Sequence, residues 1–159
     1  FMSLEKVKKF FESKGLENAV MEFDVSSATV VLAAKALGCE EARIAKTLSF
    51  RIDEQPVLIV TAGDVKIDNS KYKKLFHTKA KMLKFEEVES VIGHGVGGVC
   101  PFAVNDGVKV YLDESLKRFD TVFPACGSSN SAIELNIPDL EKYSGSDGWV
   151  DVCKTCVQP

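Results

Sequence analysis

The sequence lacks an apolar run long enough to cross a bilayer. A transmembrane helix needs about 20 consecutive apolar residues, and no stretch of the 159 residues approaches that length. The opening FMSLEKVKKF also lacks the apolar centre of a secretory signal peptide. These absences argue against a membrane-embedded or exported protein, and we expect a cytoplasmic chain without a membrane partner.

Cysteine and histidine are too few, and too irregularly spaced, for a disulfide framework or a zinc site. An odd number of cysteines favours free thiols in a reducing compartment. A C-x-x-C pair stands close to the C-terminus, whereas a redox pair of the thioredoxin kind opens a helix after a strand. Zinc would need two further ligands at paired spacing. We therefore expect no metal and no cofactor. The five cysteines are Cys39, Cys100, Cys126, Cys153 and Cys156.

A nucleotide-phosphate loop is also missing, although G-x-G-x-x-G occurs at Gly93, Gly95 and Gly98. The dinucleotide fingerprint requires a strand before the glycines and a helix after them. Here a predicted helix, 85–92, comes first, and Pro101 follows. The glycines could still form a concave array of backbone N–H groups for an anion or a polarised carbonyl. The alternative is a tight connection in which glycine serves only close packing.

Basic charge, by contrast, is concentrated in one stretch. Between residues 66 and 84 there are seven lysines and one acid, in a chain whose net charge is −3. Such a footprint is typical of phosphate-backbone binding, although a solvated helix face gives the same pattern. Six of these lysines are the candidate contacts to the phosphate backbone of a nucleic acid: Lys66, Lys71, Lys73, Lys74, Lys79 and Lys81.

Hydrophobic periodicity predicts one α/β (α+β) domain over residues 2–159, with a mixed, largely antiparallel, barrel-like sheet surrounded by helices. Residues 46–53 and 57–63 form a predicted hairpin. Helices are predicted at 4–14, after Ser27 up to Gly38, at 69–76, at 85–92 and from Pro138. Further strands are predicted at 19–23, 80–84, 108–112, 121–125 and 132–136, and a strand is suggested in WVDVC near the C-terminus.

Lys46 is unusual because it shares a strand face with Leu48, Phe50 and Ile52. A charge on an apolar face must reach water at the strand end or find a partner. At a pocket mouth it could hold a phosphate. Both interpretations remain open on sequence grounds.

Three stretches in register resemble one family, the YbaK and ProX-type aminoacyl-tRNA deacylases, which are related to the editing insertion of bacterial prolyl-tRNA synthetase. They are IAKTLSF (44–50) followed by VLIVTAGD, GHGVGGVCPF (93–102), and ACGSSNSAIELNIPDL (125–140). The similarity runs from about residue 16 to 143. After CPF many relatives have glycine, whereas this chain has Ala103, Val104 and an NDG turn. We expect that departure to affect amino-acid specificity.

The resemblance implies an enzyme that hydrolyses the ester of a mischarged tRNA, foremost cysteine or alanine on the tRNA for proline. Its partners would be the acceptor end of aminoacyl-tRNA and prolyl-tRNA synthetase, with no DNA. Lys46, Gly97 and Gly98 are assigned to catalysis. The nucleophile would be water, a ribose hydroxyl or the substrate's own side chain, with Cys100 disfavoured. Residues assigned to substrate binding are Thr47, His94, Val99, Cys100, Pro101, Phe102, Gly127 and Ser128.

Two other functions compete with hydrolysis. A module that binds charged tRNA or a synthetase without catalysis would need no additional residues, so the sequence barely separates it from an enzyme. Retention of Lys46 and of the whole glycine loop favours the enzyme. A thiol oxidoreductase using Cys153 and Cys156 is disfavoured by their position.

Overall fold

A computed structural model describes residues 3–16 and 18–156. Five α-helices pack around the sheets, and their ends carry ordinary caps. The Thr29 hydroxyl caps the second helix by accepting from the Leu32 N–H, and Asp68 caps the third. The helices are α1 Ser3–Glu12, α2 Val30–Leu37, α3 Asn69–Phe76, α4 Phe85–Ile92 and α5 Ile137–Tyr143. None of them is long and apolar enough to span a membrane.

Ten strands complete the described fold. In chain order they are β1 Met21–Glu22, β2 Ile44–Ile52, β3 Gln55–Ala62, β4 Val65–Ile67, β5 Lys109–Asp113, β6 Thr121–Pro124, β7 Ser131–Ala132, β8 Leu135–Asn136, β9 Gly148–Val150 and β10 Cys153–Thr155. Six of them form one curled sheet in the order β8-β6-β2-β3-β5-β9. The pairs β1–β7 and β4–β10 form two small sheets.

The β2–β3 hairpin is the longest ladder of the sheet. It is antiparallel from Ala45, opposite Ala62, to Ile52, opposite Gln55. β6 joins β2 in parallel, and β5 and β9 continue in parallel on the other side of β3. The mixed sheet expected from the sequence is therefore confirmed, with the antiparallel share concentrated in this hairpin.

The outer edge of β2 is only partly covered. β6 pairs with it at Ile44 and Ala45. At the other end, residues 81–83 attach through hydrogen bonds from Arg51 N–H to the Lys81 carbonyl (2.9 Å) and from Leu83 N–H to the Ser49 carbonyl (3.1 Å). The strand predicted at 80–84 is thus reduced to a single bridge between Met82 and Phe50. In the described chain, no strand pairs with residues 46–48 on this edge.

The main core lies between α1, α4 and the hairpin. The rings of Phe11 and Phe102 meet edge to face, 4.8 Å between centroids, so that α1 packs against the chain after the glycine loop. A second apolar cluster contains Ala33, Ala34, Ile44 and Phe123, and it fixes α2 against β2 and β6. Together these contacts hold α2 and α4 near the uncovered part of the β2 edge.

Most predicted elements are present. The helices at 69–76 and 85–92 have the predicted bounds. The strand predicted at 132–136 is divided into β7 and β8, which belong to different sheets. Pro124 is the last residue of β6, where its carbonyl accepts from the Ile133 N–H. Among the described residues, no group of cysteine, histidine and carboxylate side chains could hold a metal ion.

Candidate active site

A cavity of about 500 Å³ opens where the β2 edge is uncovered. That volume is within the range of small-molecule sites. Its walls come from β2, α2, the start of α4, the glycine loop and the β6–β7 region. Residues on the walls include Ala33, Ala45, Lys46, Thr47, Ser49, Met82, Phe85, Val88, Val96, Gly97, Val99, Phe123 and Ser131.

The cavity is mostly apolar, with hydroxyl groups and one charged residue. The hydroxyls belong to Ser27, Thr29, Thr47, Ser49 and Ser131, and the charge is that of Lys46. The Thr47 Oγ1 is buried and has no hydrogen-bond partner within the described residues. A buried hydroxyl without a partner costs free energy, and this oxygen has almost no surface open to the cavity.

Lys46 lines the cavity, but its ammonium group is directed to another partner. Nζ donates a hydrogen bond to the Val65 carbonyl at the start of β4. The nearby Asp64 carboxylate is held by Arg118, at 2.6 and 3.0 Å. This bidentate contact also keeps the pKa of Asp64 below its usual value. The predicted phosphate anchor therefore makes contact with a neutral carbonyl in this conformation.

The glycine loop presents only part of its length to the cavity. Gly97 and Val99 line it, and Gly97 has a left-handed φ of +95°. The Gly98 N–H donates to the Gly95 carbonyl at 3.0 Å, which closes the turn. For the N–H groups of Gly97 and Val99, the described part of the chain provides no acceptor. The N–H groups of these two cavity-lining residues are thus unpartnered, whereas the Gly98 N–H is already occupied.

Gly98 instead supports the loop from behind. A Cβ at this position would lie 2.6 Å from the Gly127 carbonyl carbon and from the Ser128 nitrogen. Gly127 has φ +93°, and its own Cβ would meet the Ser3 backbone at 2.8 Å. Gly127 and Ser128, predicted to bind substrate, therefore form a second layer behind the loop. The Ser128 hydroxyl donates to Ser131 Oγ at 2.7 Å rather than facing the cavity.

The side chains of His94, Cys100, Pro101 and Phe102 are also behind the loop. His94, Cys100 and Phe102 have 0% exposure, Pro101 is buried, and none of the four lines the cavity. In this structure these side chains are buried rather than on the cavity wall, so substrate binding by these four residues stays a prediction. Their contribution is to fix the backbone of the loop.

Cys100 and His94 do not form a nucleophile and base. Burial raises the pKa of the Cys100 thiol to about 12, so it stays protonated at neutral pH. His94 Nε2 lies 2.6 Å from the Phe102 carbonyl. A carbonyl only accepts, so Nε2 carries the proton and cannot take one from the thiol. Burial also lowers the pKa of His94, which is therefore neutral in the folded protein.

The lysine-rich segment divides into two parts. Lys66, on β4, stands opposite Lys154 on β10, and Lys71 is bound to Asp151 (3.0 Å) and to the Cys153 carbonyl. Lys71 thus fastens α3 to the C-terminal strand. The remaining predicted RNA contacts are exposed and form no ion pair within the described residues. They are Lys73, Lys74, Lys79 and Lys81.

Several cavity residues were not predicted from the sequence. Met82 comes from the end of the lysine-rich segment and Phe85 directly follows it. Val96 comes from the glycine loop, and Val30 and Ala33 come from α2. The only sequence signal was the pattern K-M-L-K-F, in which apolar residues alternate with lysines. That pattern is equally typical of an ordinary strand followed by a helix.

Ala103 is the departure from relatives that the structure explains in conformational terms. Its φ is +52°, in the left-handed region where a non-glycine residue is strained and glycine is not. A glycine at this position in relatives fits the same turn. Ala103 does not line the cavity.

Comparisons with known proteins agree with this geometry. A family described as "Aminoacyl-tRNA editing domain" matches residues 25–143. The uncharacterized protein YwhH of Bacillus subtilis (strain 168) is 54% identical over 154 residues, covering 96% of this chain and 98% of YwhH. A proline–tRNA ligase of Halalkalibacterium halodurans is 35% identical over 104 residues, covering 65% of this chain and only 18% of the ligase.

A solved structure supports the same relationship. It is provisionally described as a trans-editing enzyme for prolyl tRNA synthetase, and it superposes with a TM-score of 0.85 at 27% identity. The superposition covers 96% of this chain and 97% of that one. The likeness therefore extends over nearly the whole fold.

Replacing Gly98 by alanine should displace the glycine loop. The added Cβ would overlap the backbone of Gly127 and Ser128, and overpacking of this kind costs about 1–3 kcal/mol. Gly95→Ala is the matched control, since its Cβ would meet nothing closer than 3.8 Å. Urea unfolding should show a loss for Gly98→Ala and almost none for Gly95→Ala. Equal stabilities would contradict the proposed backbone contact.

His94 should make the protein less stable as the pH falls below about 6.5. Its pKa is lower in the folded than in the unfolded chain, so protonation favours unfolding. The free energy of unfolding should be constant above that pH and fall below it by at most about 1.4 kcal/mol per pH unit.

Urea unfolding at pH 7.5, 6.5 and 5.5 tests this effect. His94→Gln keeps an amide donor for the Phe102 carbonyl and should flatten the dependence. The control His77→Gln, at an exposed helix end, should retain it. An unchanged slope in His94→Gln would show that other groups cause the acid destabilisation.

Proposed function

Because the chain belongs to the aminoacyl-tRNA editing domain family, we propose that it acts in trans as a deacylase on mischarged tRNA. The first candidate substrates are cysteine and alanine esterified to the tRNA for proline. The observation that carries the proposal is the cavity at the β2 edge, which combines unpartnered backbone N–H groups, hydroxyl-bearing residues and one lysine with an apolar wall. Such a site fits an aminoacyl ester of a small amino acid.

The chemistry matches what the cavity contains. No carboxylate, histidine or cysteine is found among its lining residues. An aminoacyl ester is already activated, so hydrolysis needs mainly positioning and stabilisation of the developing oxyanion. We assign the N–H groups of Gly97 and Val99 as donors for that oxyanion, and the hydroxyl-bearing residues that line the cavity as contacts for neighbouring polar atoms of the substrate.

The reaction is then written as a simple acyl transfer to water. Water adds to the ester carbonyl carbon, and the bond from that carbon to the ribose oxygen breaks. The ribose oxygen takes the proton, which leaves a free amino acid and a tRNA with a free terminal hydroxyl. If a ribose hydroxyl or the substrate's own side chain attacks first, the acyl group passes to that atom, and water then hydrolyses the new ester or thioester in a second step.

Lys46 supplies positive charge to this site. In the described conformation it donates to the Val65 carbonyl and forms no ion pair within the described residues. A phosphate is a stronger acceptor for an ammonium group than a neutral carbonyl. We therefore assign Lys46 to the terminal phosphate or ribose, which it reaches by exchanging the Val65 carbonyl for substrate.

The exposed lysines of the segment 66–84 form the track for the acceptor stem. Lys73, Lys74, Lys79 and Lys81 have no carboxylate partner among the described residues. Lys66 directly faces Lys154 across the β4–β10 ladder. Like charges directly opposite each other are unfavourable unless an anion lies between them. The track would hold phosphates, which carry no sequence information.

Deacylation of a panel of aminoacyl-tRNAs tests the enzyme. Cysteine, alanine, serine and proline are each placed on the tRNA for proline. We expect turnover of at least one mischarged species and a loss of at least tenfold in Lys46→Ala, with Lys109→Ala, an exposed lysine on β5, as control. Binding without turnover on all four would overturn the deacylase and favour a non-catalytic tRNA-binding module.

Neutralising three lysines tests the track. The triple variant Lys73→Gln, Lys74→Gln, Lys79→Gln should bind tRNA more weakly, and each lost phosphate contact should flatten the slope of log affinity against log salt by about 0.7–0.9. The control changes Lys14, Lys35 and Lys109, which are exposed and outside the segment. Equal slopes in the two triple variants would place the RNA on another face.

A further inference from the structure

The cavity has an apolar rim exposed to solvent. Phe85 is 75% exposed, Met82 55% and Val96 52%, although all three line the cavity. A group of large, solvent-exposed apolar side chains at the mouth of a cavity is more typical of a ligand-binding surface than of core packing. The inner wall, with Ala33, Ala45 and Val88, is sufficient for a small amino-acid side chain. The rim is therefore available for another part of the substrate.

The backbone that carries the Phe85 ring is held at a fixed place. It is the first residue of α4, and the Glu87 carboxylate accepts from the Lys84 N–H at 3.3 Å. Arg51 on β2 binds the same carboxylate at 3.2 Å. Residues 81–83, just before, are hydrogen-bonded to β2. The backbone below the ring is thus fixed by three links to the sheet and the helix, while the ring itself is uncovered.

Positive charge lies on the N-terminal side of this ring, and the exposed Glu86 follows it. Lys81 and Lys84 are exposed neighbours in sequence, and neither forms an ion pair in the part of the chain that the structure describes. Glu87, the nearest acid with an assigned contact, is already neutralised by Arg51. An aromatic face beside unpaired lysines matches a nucleotide, whose base stacks on the ring while its phosphates meet the cations.

We propose that Phe85 is the stacking platform for the terminal base of the acceptor end, with Met82 and Val96 completing the apolar rim. This inference rests on the proposed function, because the base must enter with the ester. Stacking on Phe85 would direct the ribose into the cavity and the ester toward the N–H groups of Gly97 and Val99. Phe85 is then a binding residue that sets where the ester is placed.

The test uses uncharged RNA, so it does not depend on catalysis. The probes are an acceptor-stem minihelix with its 3′-terminal adenosine and the same minihelix with an abasic 3′ end. Phe85→Ala should weaken binding of the complete minihelix about tenfold and leave binding of the abasic one unchanged. Phe85→Trp should bind the complete minihelix as tightly as the unaltered protein, with quenching of the added tryptophan.

Two controls make the result specific. Leu75→Ala removes an exposed apolar side chain from α3, away from the cavity walls, and should not change binding of either probe. Phe85→Leu keeps an apolar side chain without an aromatic face. It should lose most of the difference in affinity between the complete and the abasic minihelix. Equal loss for complete and abasic probes in Phe85→Ala, or no loss for either, would overturn the stacking proposal.

The same design separates this proposal from the deacylase. If no charged tRNA is hydrolysed but the complete minihelix is still distinguished at Phe85, the stacking site stands and the hydrolysis fails. If hydrolysis occurs and Phe85→Ala changes neither KM nor binding, the deacylase stands and the stacking proposal fails. Quenching of Phe85→Trp by prolyl-tRNA synthetase and not by RNA would assign the rim to a protein partner and overturn the stacking.

Discussion

The site depends on the incomplete covering of one strand edge. β2 is paired with β3 along its whole length, but on its outer side β6 reaches only Ala45 and residues 81–83 attach only around Phe50. An open sheet edge invites unwanted strand pairing. Here the uncovered residues lie at the bottom of a cavity walled by α2 and α4, so another chain cannot pair with them, whereas a small ligand can enter.

The two residues near the glycine loop that could act as a nucleophile or a base, Cys100 and His94, do not line the cavity. Cys100 and His94 belong to the buried core, and their protonation states are fixed by burial and by the Phe102 carbonyl. Glycine is needed at position 98 because this part of the loop touches the backbone of the Gly127 turn. Only a residue without a side chain allows the loop to touch the Gly127 turn while its other face stays open. The active face therefore consists of backbone groups rather than reactive side chains.

The sequence was sufficient for most of the fold because periodicity and capping are local. The helices at 69–76 and 85–92 and the long hairpin follow from residues close together in the chain. The division of the glycine loop into a cavity side and a core side does not follow from residues close together in the chain. It depends on contact between Gly98 and Gly127, which are far apart in sequence. Lys71 is similar, since its partner Asp151 is 80 residues away.

Lys46 is hydrogen-bonded but has no ion-pair partner among the described residues. Its most obvious partner, Asp64, is bound by both terminal nitrogens of Arg118, and the Val65 carbonyl accepts a hydrogen bond but carries no net charge. Had Lys46 paired with a carboxylate, an incoming phosphate would have to displace an ion of its own sign. With a carbonyl as the resting partner, the exchange favours the anion. The Asp64–Arg118 contact thus acts on the cavity indirectly, because it leaves Lys46, the charged residue among the described cavity walls, without a carboxylate partner.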